Sequence, residues 1–378
     1  MKVAYVVRSL AIWGGFERVL VDKANALAKR GVDVTMITAD QGRHPVPYTV
    51  DSMVKQTDLQ VFFHHQYRRR GIMRILDRAV RVLRYRQRLR AALRTEKPDI
   101  VVTSATALVS SVISCAAQIP VVVECHTICS QIVDTGLVRP IRKKLLFRAL
   151  RKAACLVTLT PEDAQEWRRF LGDRVCCIPN ILHPFADALT PLQRHRSTTD
   201  EDGTILFVGR LAEQKGINHL LNIWKRISAL YPSWHLRIVG DGELRQEVET
   251  LAAESPHIEL LPPTEQIAMH YLQCDILALT SRFEPFGLVL TEAMSCSLPV
   301  VSFDSPYGPR NIINSGTDGV LVENGNDQAF ISALSRLISS PDLRQKMGAK
   351  AAESVGRFMP ENVIPQWLDL FNRLQHTG

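Results

Sequence analysis

Residues 282–304 read RFEPFGLVLTEAMSCSLPVVSFD, and within them Glu284 and Glu292 stand eight positions apart. The intervening proline and glycine disfavour helix at Glu284, so a helix is predicted to begin near Gly287 and to carry Glu292. The first-turn N–H groups, from about Gly287 to Leu290, lack intrahelical partners and can donate to phosphate oxygens. Carboxylates accept hydrogen bonds from sugar hydroxyls. The stretch favours a ligand rich in hydroxyls and phosphate over the alternative that Glu292 only caps or solvates its helix.

Short apolar runs recur on both sides of this stretch and are separated by helical patterns. Such runs are typical of parallel strands covered on both faces. Ligands of doubly wound sheets bind outside the carboxyl ends of the strands. The chain of 378 residues is long enough for two such domains. We expect an α/β protein with two doubly wound, Rossmann-like domains facing across a cleft. The predicted parts are 1–181 (first domain), 182–203 (linker), 204–358 (second domain) and 359–378 (terminal helix).

Composition narrows the class of protein further. The chain is 46% hydrophobic, and no apolar run approaches the roughly 18 residues needed to span a bilayer. KVAYVV, at residues 2–7, is cut short by Arg8 and is predicted to be a strand, not a signal peptide. We therefore expect a cytoplasmic protein whose eight cysteines are reduced thiols. Cys125, His126 and Cys129 alone would suggest a metal site, but a second ligand pair at zinc spacing is absent, so we expect no metal and no cofactor.

Three further features follow predicted strand ends. Gly14 and Gly15 open the first long helix as GGFERV, where glycines let a ligand approach the backbone, although such a turn is more often only a tight connection. Arg210 and Lys215, in FVGRLAEQKG, are either two solvated cations or the partners of a diphosphate. His126 follows the run VVVEC; a lone histidine is more often structural than catalytic.

Taken together, EPFGLVLTEAM (284–294), CSLPVV (296–301) and GGFER (14–18) resemble the signature of family-four retaining glycosyltransferases of the GT-B fold, bacterial surface-polysaccharide type. The resemblance extends to both ends of the chain. It implies a nucleotide-sugar donor and retention of anomeric configuration without a metal ion. The departures are Asn311, where an acidic residue is usual, Ser297 in place of a glycine, and the absence of a glycine after Asn180.

The resemblance also assigns roles to individual residues. It implies that Arg210 and Lys215 stabilise charge on the leaving nucleoside diphosphate, while Glu284 holds sugar hydroxyls and Glu292 holds the ribose. His126 would contact the transferred sugar without acting as a general base. Gly14 and Gly15 would approach the donor diphosphate or the acceptor, and the backbone at Phe286, Gly287 and Leu288 would supply the remaining donor contacts.

The positive charge of the chain is concentrated in residues 68–94. This segment holds eleven arginines and one aspartate, Asp77, which gives it a local charge of +10. Since the whole chain has a net charge of +8, the rest of the chain carries −2. Apolar residues and arginines recur there at spacings of three and four, which predicts an amphipathic basic helix. We expect it to contact an anionic membrane surface. The alternatives are a core-packed helix with solvated arginines, or nucleic acid, which we do not expect because few stacking aromatics accompany the cations.

The sequence thus predicts a hexosyltransferase that uses a nucleotide sugar, with UDP as the expected nucleotide, and acts on a hydroxyl of a lipid-linked or polysaccharide acceptor. We expect it at the inner face of the membrane. A UDP-sugar epimerase of similar fold is the nearest enzyme alternative. A non-catalytic nucleotide-sugar-binding protein is the alternative from another class.

Overall fold

The structure, a computed structural model, describes residues 1–63, 71–105, 108–133, 140–183, 185 and 201–376. It divides into two units, residues 1–181 with 360–378, and residues 182–359. Each unit is built on a parallel sheet with helices, which confirms the predicted α/β class with two Rossmann-like sheets. Most of the predicted linker lies outside the described residues.

The sheet of the first unit has seven strands in the described part of the chain, ordered β3-β2-β1-β4-β5-β6-β7 and parallel throughout. The strands are β1 Lys2–Val7, β2 Asp33–Thr38, β3 Lys55–Asp58, β4 Ile100–Ser104, β5 Val121–Glu124, β6 Cys155–Thr158 and β7 Val175–Cys177. The helices are α1 Gly15–Ala28, α2 Gly71–Glu96, α3 Val109–Ala116, α4 Cys129–Val133, α5 Pro140–Leu150, α6 Pro161–Leu171 and, from the chain end, α14 Pro360–His376.

Strand β1 shows how this sheet acquires two cores. Successive side chains of a strand point to opposite faces. Ala4 and Val6 join one apolar cluster, which includes buried residues of α2, α3 and α6. Tyr5 and Val7 join the other, which includes α1 and α14. Because both faces are covered, residues 3–7 of the strand are all buried and do not alternate between apolar and polar.

The second unit repeats the plan with six described strands in the order β10-β9-β8-β11-β12-β13, again all parallel. They are β8 Gly203–Val208, β9 Trp234–Val239, β10 Ile258–Leu261, β11 Ile276–Leu279, β12 Val300–Phe303 and β13 Val320–Val322. The helices are α7 Ile217–Leu230, α8 Arg245–Glu254, α9 Ile267–Gln273, α10 Leu288–Ser295, α11 Gly308–Ile312, α12 Asp327–Ile338 and α13 Pro341–Ser354.

Helix α2 is the predicted amphipathic helix, but its apolar residues do not form one buried stripe. In its C-terminal half Tyr85, Leu89 and Leu93 are buried in the core. In its N-terminal half Met73, Leu76, Val80 and Leu83 are each 54 to 60% exposed. Their spacings of three, four and three place these four on one face of the helix. In the described part of the chain, no helix combines the length and apolar character that a membrane span requires.

Candidate active site

Lys215 is brought to the end of the second sheet by a short loop after β8. It ends a single 3-10 turn, Glu213–Lys215, and is followed by Gly216 at φ +67°. A Cβ atom at Gly216 would lie 1.8 Å from the carbonyl oxygen of Thr280, just after β11. Only glycine allows this approach. The loop after β8 is thereby held against the end of β11.

Glu284 lies in the loop after β11 and meets Lys215 there. The Nζ of Lys215 is 2.5 Å from Oε2 of Glu284, and the Ser281 hydroxyl donates to the same oxygen at 3.1 Å. Glu284 is buried. Within the described residues no group donates to Oε1 of Glu284. The carboxylate is therefore fixed through one oxygen and retains the other as an acceptor.

The backbone of Glu284 is also fixed. Its N–H donates to the carbonyl of Pro306 at 2.8 Å, and its own carbonyl accepts from Tyr307 at 3.0 Å and Gly308 at 2.7 Å. A Cβ atom at Gly308 would lie 1.8 Å from the carbonyl oxygen of Phe286. The loops after β11 and β12 are thus locked together, which sets the position of the carboxylate before any ligand arrives.

Helix α10 begins as the sequence predicts. Gly287 occupies the position before the first helical residue, Leu288, at φ +104°, and no side chain caps the helix. The side chain of Phe286 is buried, with its ring edge-on to Phe358 at 5.3 Å between centroids. Phe286 and Gly287 accordingly offer backbone, not side chains, beside the carboxylate of Glu284. An uncapped helix start is suited to an anion.

Glu292 faces inward from α10 and is buried. The hydroxyl of Tyr271, on α9, donates to Oε2 of Glu292 at 2.8 Å. Tyr271 was not found by sequence reasoning, since a tyrosine in an ordinary helix carries no recognisable signal. The contact orients the carboxylate, so Glu292 does more than solvate its helix.

Arg210 is not brought to the Lys215–Glu284 pair. It is exposed, and its guanidinium donates to the side chain of Gln214 at 3.0 Å. Gln214 in turn donates to the carbonyl of Phe283 at 3.2 Å, which links Arg210 indirectly to the loop of Glu284. Of the two predicted cations, Lys215 is therefore the one paired with the glutamate.

In the first unit Gly14 and Gly15 lie at the start of α1, and the residue after them contacts His126. Gly14 precedes α1, without a side-chain cap, and both its N–H and its carbonyl bond the Tyr48 hydroxyl, at 2.9 and 3.0 Å. The ring of Phe16, the next residue after the two glycines, lies edge-on to His126 with centroids 4.7 Å apart. Tyr48 was missed because its long loop carries no diagnostic pattern.

His126 belongs to a network of hydrogen-bonded side chains that the sequence did not reveal. Its Nε2 lies 3.0 Å from Oε2 of Glu124, the last residue of β5, and Lys23 of α1 reaches the same oxygen at 2.5 Å. Burial opposes ionisation of Glu124, but the Lys23 ammonium and the His126 contact lower its pKa to about 2. The only sequence signal was the position of Lys23. It lies four residues from both Val19 and Leu27, and therefore on the apolar face of the helix.

No cluster of three or more potential metal ligands occurs in the described ranges. Cys125 and Cys129 are both buried. None of the eight cysteines is in a disulfide.

Two family models match the chain. "Glycosyltransferase Family 4" matches residues 13–184, and "Glycosyl transferases group 1" matches residues 191–354. The chain is a glycosyltransferase, and its first half matches family 4. The second match includes residues 282–304, which confirms the resemblance of that stretch to a glycosyltransferase signature.

Whole-length relatives of this glycosyltransferase occur in several bacteria. An uncharacterized glycosyltransferase of Haemophilus influenzae is 28% identical, with 97% of this chain and 98% of the relative covered. The amylovoran biosynthesis glycosyltransferase AmsD of Erwinia amylovora is 25% identical over 98% and 99%. An α-1,4-N-acetyl-D-galactosaminyltransferase of Campylobacter jejuni, named for an undecaprenol-linked glycan, is 26% identical over 100% of both chains.

Solved structures share the fold of this glycosyltransferase. A variant of TarM from S. aureus, in complex with fondaparinux, α-GlcNAc-glycerol and UDP, has a TM-score of 0.77 at 14% identity, covering 98% and 99% of the two chains. HepE from Anabaena, in complex with UDP and glucose, has a TM-score of 0.73 at 19% identity, covering 98% and 99%. The chain has the GT-B fold.

Proposed function

We propose that this glycosyltransferase transfers a hexose from a UDP-sugar, with retention and without a metal ion, to a hydroxyl of a lipid-linked or polysaccharide glycan. The observation that carries the proposal is the Lys215–Glu284 pair, 2.5 Å apart at the ends of β8 and β11 and beside the uncapped start of α10. A cation, a carboxylate and a helix N-terminus on one sheet edge suit a sugar diphosphate.

The hydrogen-bonding capacity of these groups supports binding of a sugar nucleotide. An ammonium has three N–H donors, so Lys215 retains donors for the diphosphate after bonding Glu284. Oε1 of Glu284 is the acceptor for a sugar hydroxyl, and the carboxylate of Glu292, oriented by Tyr271, is the acceptor for the ribose. Arg210 neutralises the diphosphate from the exposed side of the loop. Gly14, Gly15 and His126 supply further backbone and side-chain contacts to substrate.

In the proposed step the bond between the anomeric carbon and the diphosphate oxygen breaks as the bond to the acceptor oxygen forms on the same face. The acceptor proton passes to the departing phosphate oxygen. No protein carboxylate is needed as acid or base, in contrast to the usual two-carboxylate glycosidase. Lys215, Arg210 and the α10 amides stabilise the negative charge that develops on the diphosphate.

The nucleotide and the acceptor are supported by relatives. TarM and HepE were each solved in complex with UDP. The Erwinia relative is named for amylovoran biosynthesis, and the Campylobacter relative for a glycan on undecaprenol diphosphate. We propose the same chemical classes, a UDP-sugar and a polysaccharide or polyprenol-linked glycan, for this chain.

Radiolabelled UDP-sugars incubated with the purified protein and a membrane extract test the proposal. We expect label in the lipid or polymer fraction. NMR of the product should show the same anomeric configuration as in the donor. Activity should persist in EDTA. A soluble isomerised sugar would instead identify the epimerase alternative, and binding without turnover would identify a non-catalytic receptor.

We also propose that the first half of α2 docks on an anionic membrane, which would place the enzyme at the inner face. Met73, Leu76, Val80 and Leu83 form an exposed apolar stripe on a helix rich in arginine. An amphipathic helix buries such a stripe at the headgroup boundary while its cations meet anionic lipid. The core-packed alternative fits the C-terminal half of α2 but not this half. Arg68, Arg69 and Arg70 lie outside the described residues.

Liposome co-sedimentation tests this docking. Arg81 is unsuitable for charge reversal because it bonds Asp77 and the carbonyls of Val61 and Phe62. A triple change of Arg74, Arg78 and Arg84 to Glu should abolish binding to phosphatidylglycerol vesicles, and Leu76→Ser with Val80→Ser should weaken it at any salt concentration. Reversal of exposed Lys225, Arg226 and Lys346 is the control with the same change in charge. Equal binding by all variants would contradict the proposal.

A further inference from the structure

We propose that Glu124, kept ionised by Lys23, fixes His126 as the tautomer protonated on Nε2 and so reserves Nδ1 to accept a hydrogen bond from a substrate hydroxyl. This inference rests on the proposed function for the identity of the hydroxyl, which would belong to a sugar. It makes Glu124 and Lys23 positioning residues, since they act through the imidazole.

The geometry leaves little freedom for the three groups. Lys23 Nζ and His126 Nε2 both approach Oε2 of Glu124, at 2.5 and 3.0 Å. The side chains of Lys23 and Glu124 are 3 and 4% exposed, whereas that of His126 is 15% exposed. The network therefore runs from the interior of the first unit toward its surface, and His126 is its outermost member.

The charges determine where the proton lies. An ionised carboxylate has lone pairs and no proton to donate, so the ring nitrogen that faces it must be the donor. Lys23 and Glu124 already neutralise each other, and a second buried cation would add an uncompensated charge. A neutral imidazole with its proton on Nε2 satisfies both conditions. Burial raises the pKa of Glu124, whereas the Lys23 ammonium and the hydrogen bond from His126 lower it, and the net result is a lowered pKa.

The packing around the network keeps this arrangement in place. Lys23 Nζ lies 4.2 Å from the ring centroid of Trp367 on α14, a favourable cation–π distance. The ring of Phe16 lies edge-on to His126, at 78° between planes, and restricts rotation of the imidazole. Among the described residues nothing bonds Nδ1 of His126. Nδ1 is thus left with its lone pair available to a ligand.

The consequence is a defined direction for the hydrogen bond. His126 accepts from a hydroxyl and cannot serve as a proton donor through Nδ1. A free histidine in water exchanges its tautomers, so without Glu124 only part of the population would present the lone pair. Loss of a carboxylate that orients a metal-ligating histidine typically lowers activity by about 10- to 100-fold, and we expect an effect of the same order at His126.

The test combines NMR with kinetics on the full chain. In protein labelled with ¹⁵N-histidine, long-range ¹⁵N–¹H spectra distinguish a protonated from a lone-pair ring nitrogen, and the His126 signals are assigned by their loss in His126→Asn. The wild type should show hydrogen on Nε2 and a lone pair on Nδ1. Glu124→Gln, whose amide can donate as well as accept, should show mixed tautomers. Its kcat should fall roughly 10- to 100-fold with donor KM changed less than about threefold.

Controls separate positioning from folding. Lys23→Met combined with Glu124→Gln leaves no unpaired buried charge, and it should fold and still show mixed tautomers. Glu353→Gln removes a carboxylate paired with Lys350 at the surface and should change neither spectrum nor kinetics. A proton on Nδ1 in the wild type, an unchanged tautomer in both Glu124 variants, or full transferase activity in His126→Asn would overturn the inference. Absence of any sugar transfer would instead refute the proposed function, and the spectra would still decide the tautomer.

Discussion

Each unit carries a lysine–glutamate pair at the carboxyl end of its sheet, and the two pairs differ in access to water. Both have an N–O distance of 2.5 Å. Lys23 and Glu124 have side chains 3 and 4% exposed, whereas Lys215 and Glu284 have 16 and 9%. The first pair is sealed, and its more exposed neighbour is His126. The second reaches the surface of its unit.

The difference separates two uses of the same residue types. A sealed pair loses its hydration completely, so each charge depends on the other, and removal of one partner leaves the other unpaired in the interior. A pair at the surface can exchange part of its contact for a ligand at little cost. We therefore expect loss of stability when the first pair is broken, and loss of turnover with an intact fold when the second is broken.

The largest effect is expected from Glu124→Gln, which leaves Lys23 buried beside a neutral amide. Breaking a buried pair in this way costs about 3–5 kcal/mol of unfolding free energy. Lys23→Met combined with Glu124→Gln should recover most of that loss. Urea denaturation of the two variants measures both values. Equal stability of the single and double variants would mean that the sealed pair is not an energetic unit.

The next effect concerns turnover. Lys215→Ala should lower kcat by roughly 10²- to 10³-fold, the usual cost of removing a group that stabilises developing charge. Glu292→Ala should likewise abolish turnover through the loss of ribose binding. Both variants should keep the circular dichroism spectrum and the Tm of the parent within a few degrees. Normal activity in both would show that the residue 282–304 stretch has been misread.

Of the elements that carry the two pairs, the sequence predicted those that local patterns encode. β5, β11, β12 and β13 lie in short apolar runs of the kind that predicted parallel strands, because buried parallel strands are rich in apolar, β-branched residues. The start of α10 followed from Gly287. Strand β3 was missed because its sequence, KQTD, has no apolar residue, and an edge strand needs none on its open side.

Long-range pairing could not be predicted in the same way. Lys23 and Glu124 lie 101 positions apart, and neither residue belongs to a motif. The sequence of α2 shows its period but not which parts of its surface are covered; in the structure its buried core residues, Tyr85, Leu89 and Leu93, lie in the C-terminal half. Ser297, which replaces the usual glycine, has φ +56°, a left-handed conformation that favours glycine.

A smaller effect is expected from Tyr271→Phe, which tests whether the second pair works with a pre-oriented Glu292. The change removes one hydroxyl and its hydrogen bond to the carboxylate. A hydrogen bond to a charged acceptor contributes at most about 1.5–3 kcal/mol. We expect donor KM to rise about three- to tenfold, with kcat changed less. Tyr231→Phe, at a half-exposed tyrosine whose hydroxyl lies 3.3 Å from Ser339, is the matched control. Equal donor KM in both variants would assign Tyr271 to packing alone.

The smallest effect concerns a third carboxylate, Asp163 at the start of α6, which is buried like Glu124 but has no lysine bonded to it among the described residues. Burial raises its pKa to about 7, although the Cys129 N–H bonded at 2.7 Å opposes the shift. An unfolded aspartate has a pKa of about 3.9. The contribution of protonated Asp163 to stability is therefore fully present below about pH 4, and it is lost as the pH rises toward 7.

The unfolding free energy of the wild type should fall by about 1–2 kcal/mol relative to that of Asp163→Asn between about pH 5.5 and 7. Asn keeps an acceptor for Cys129, so the difference isolates the charge. Parallel stability curves for the two proteins would show that Asp163 finds a cationic partner or water when ionised, and that a buried carboxylate of this unit does not require a lysine.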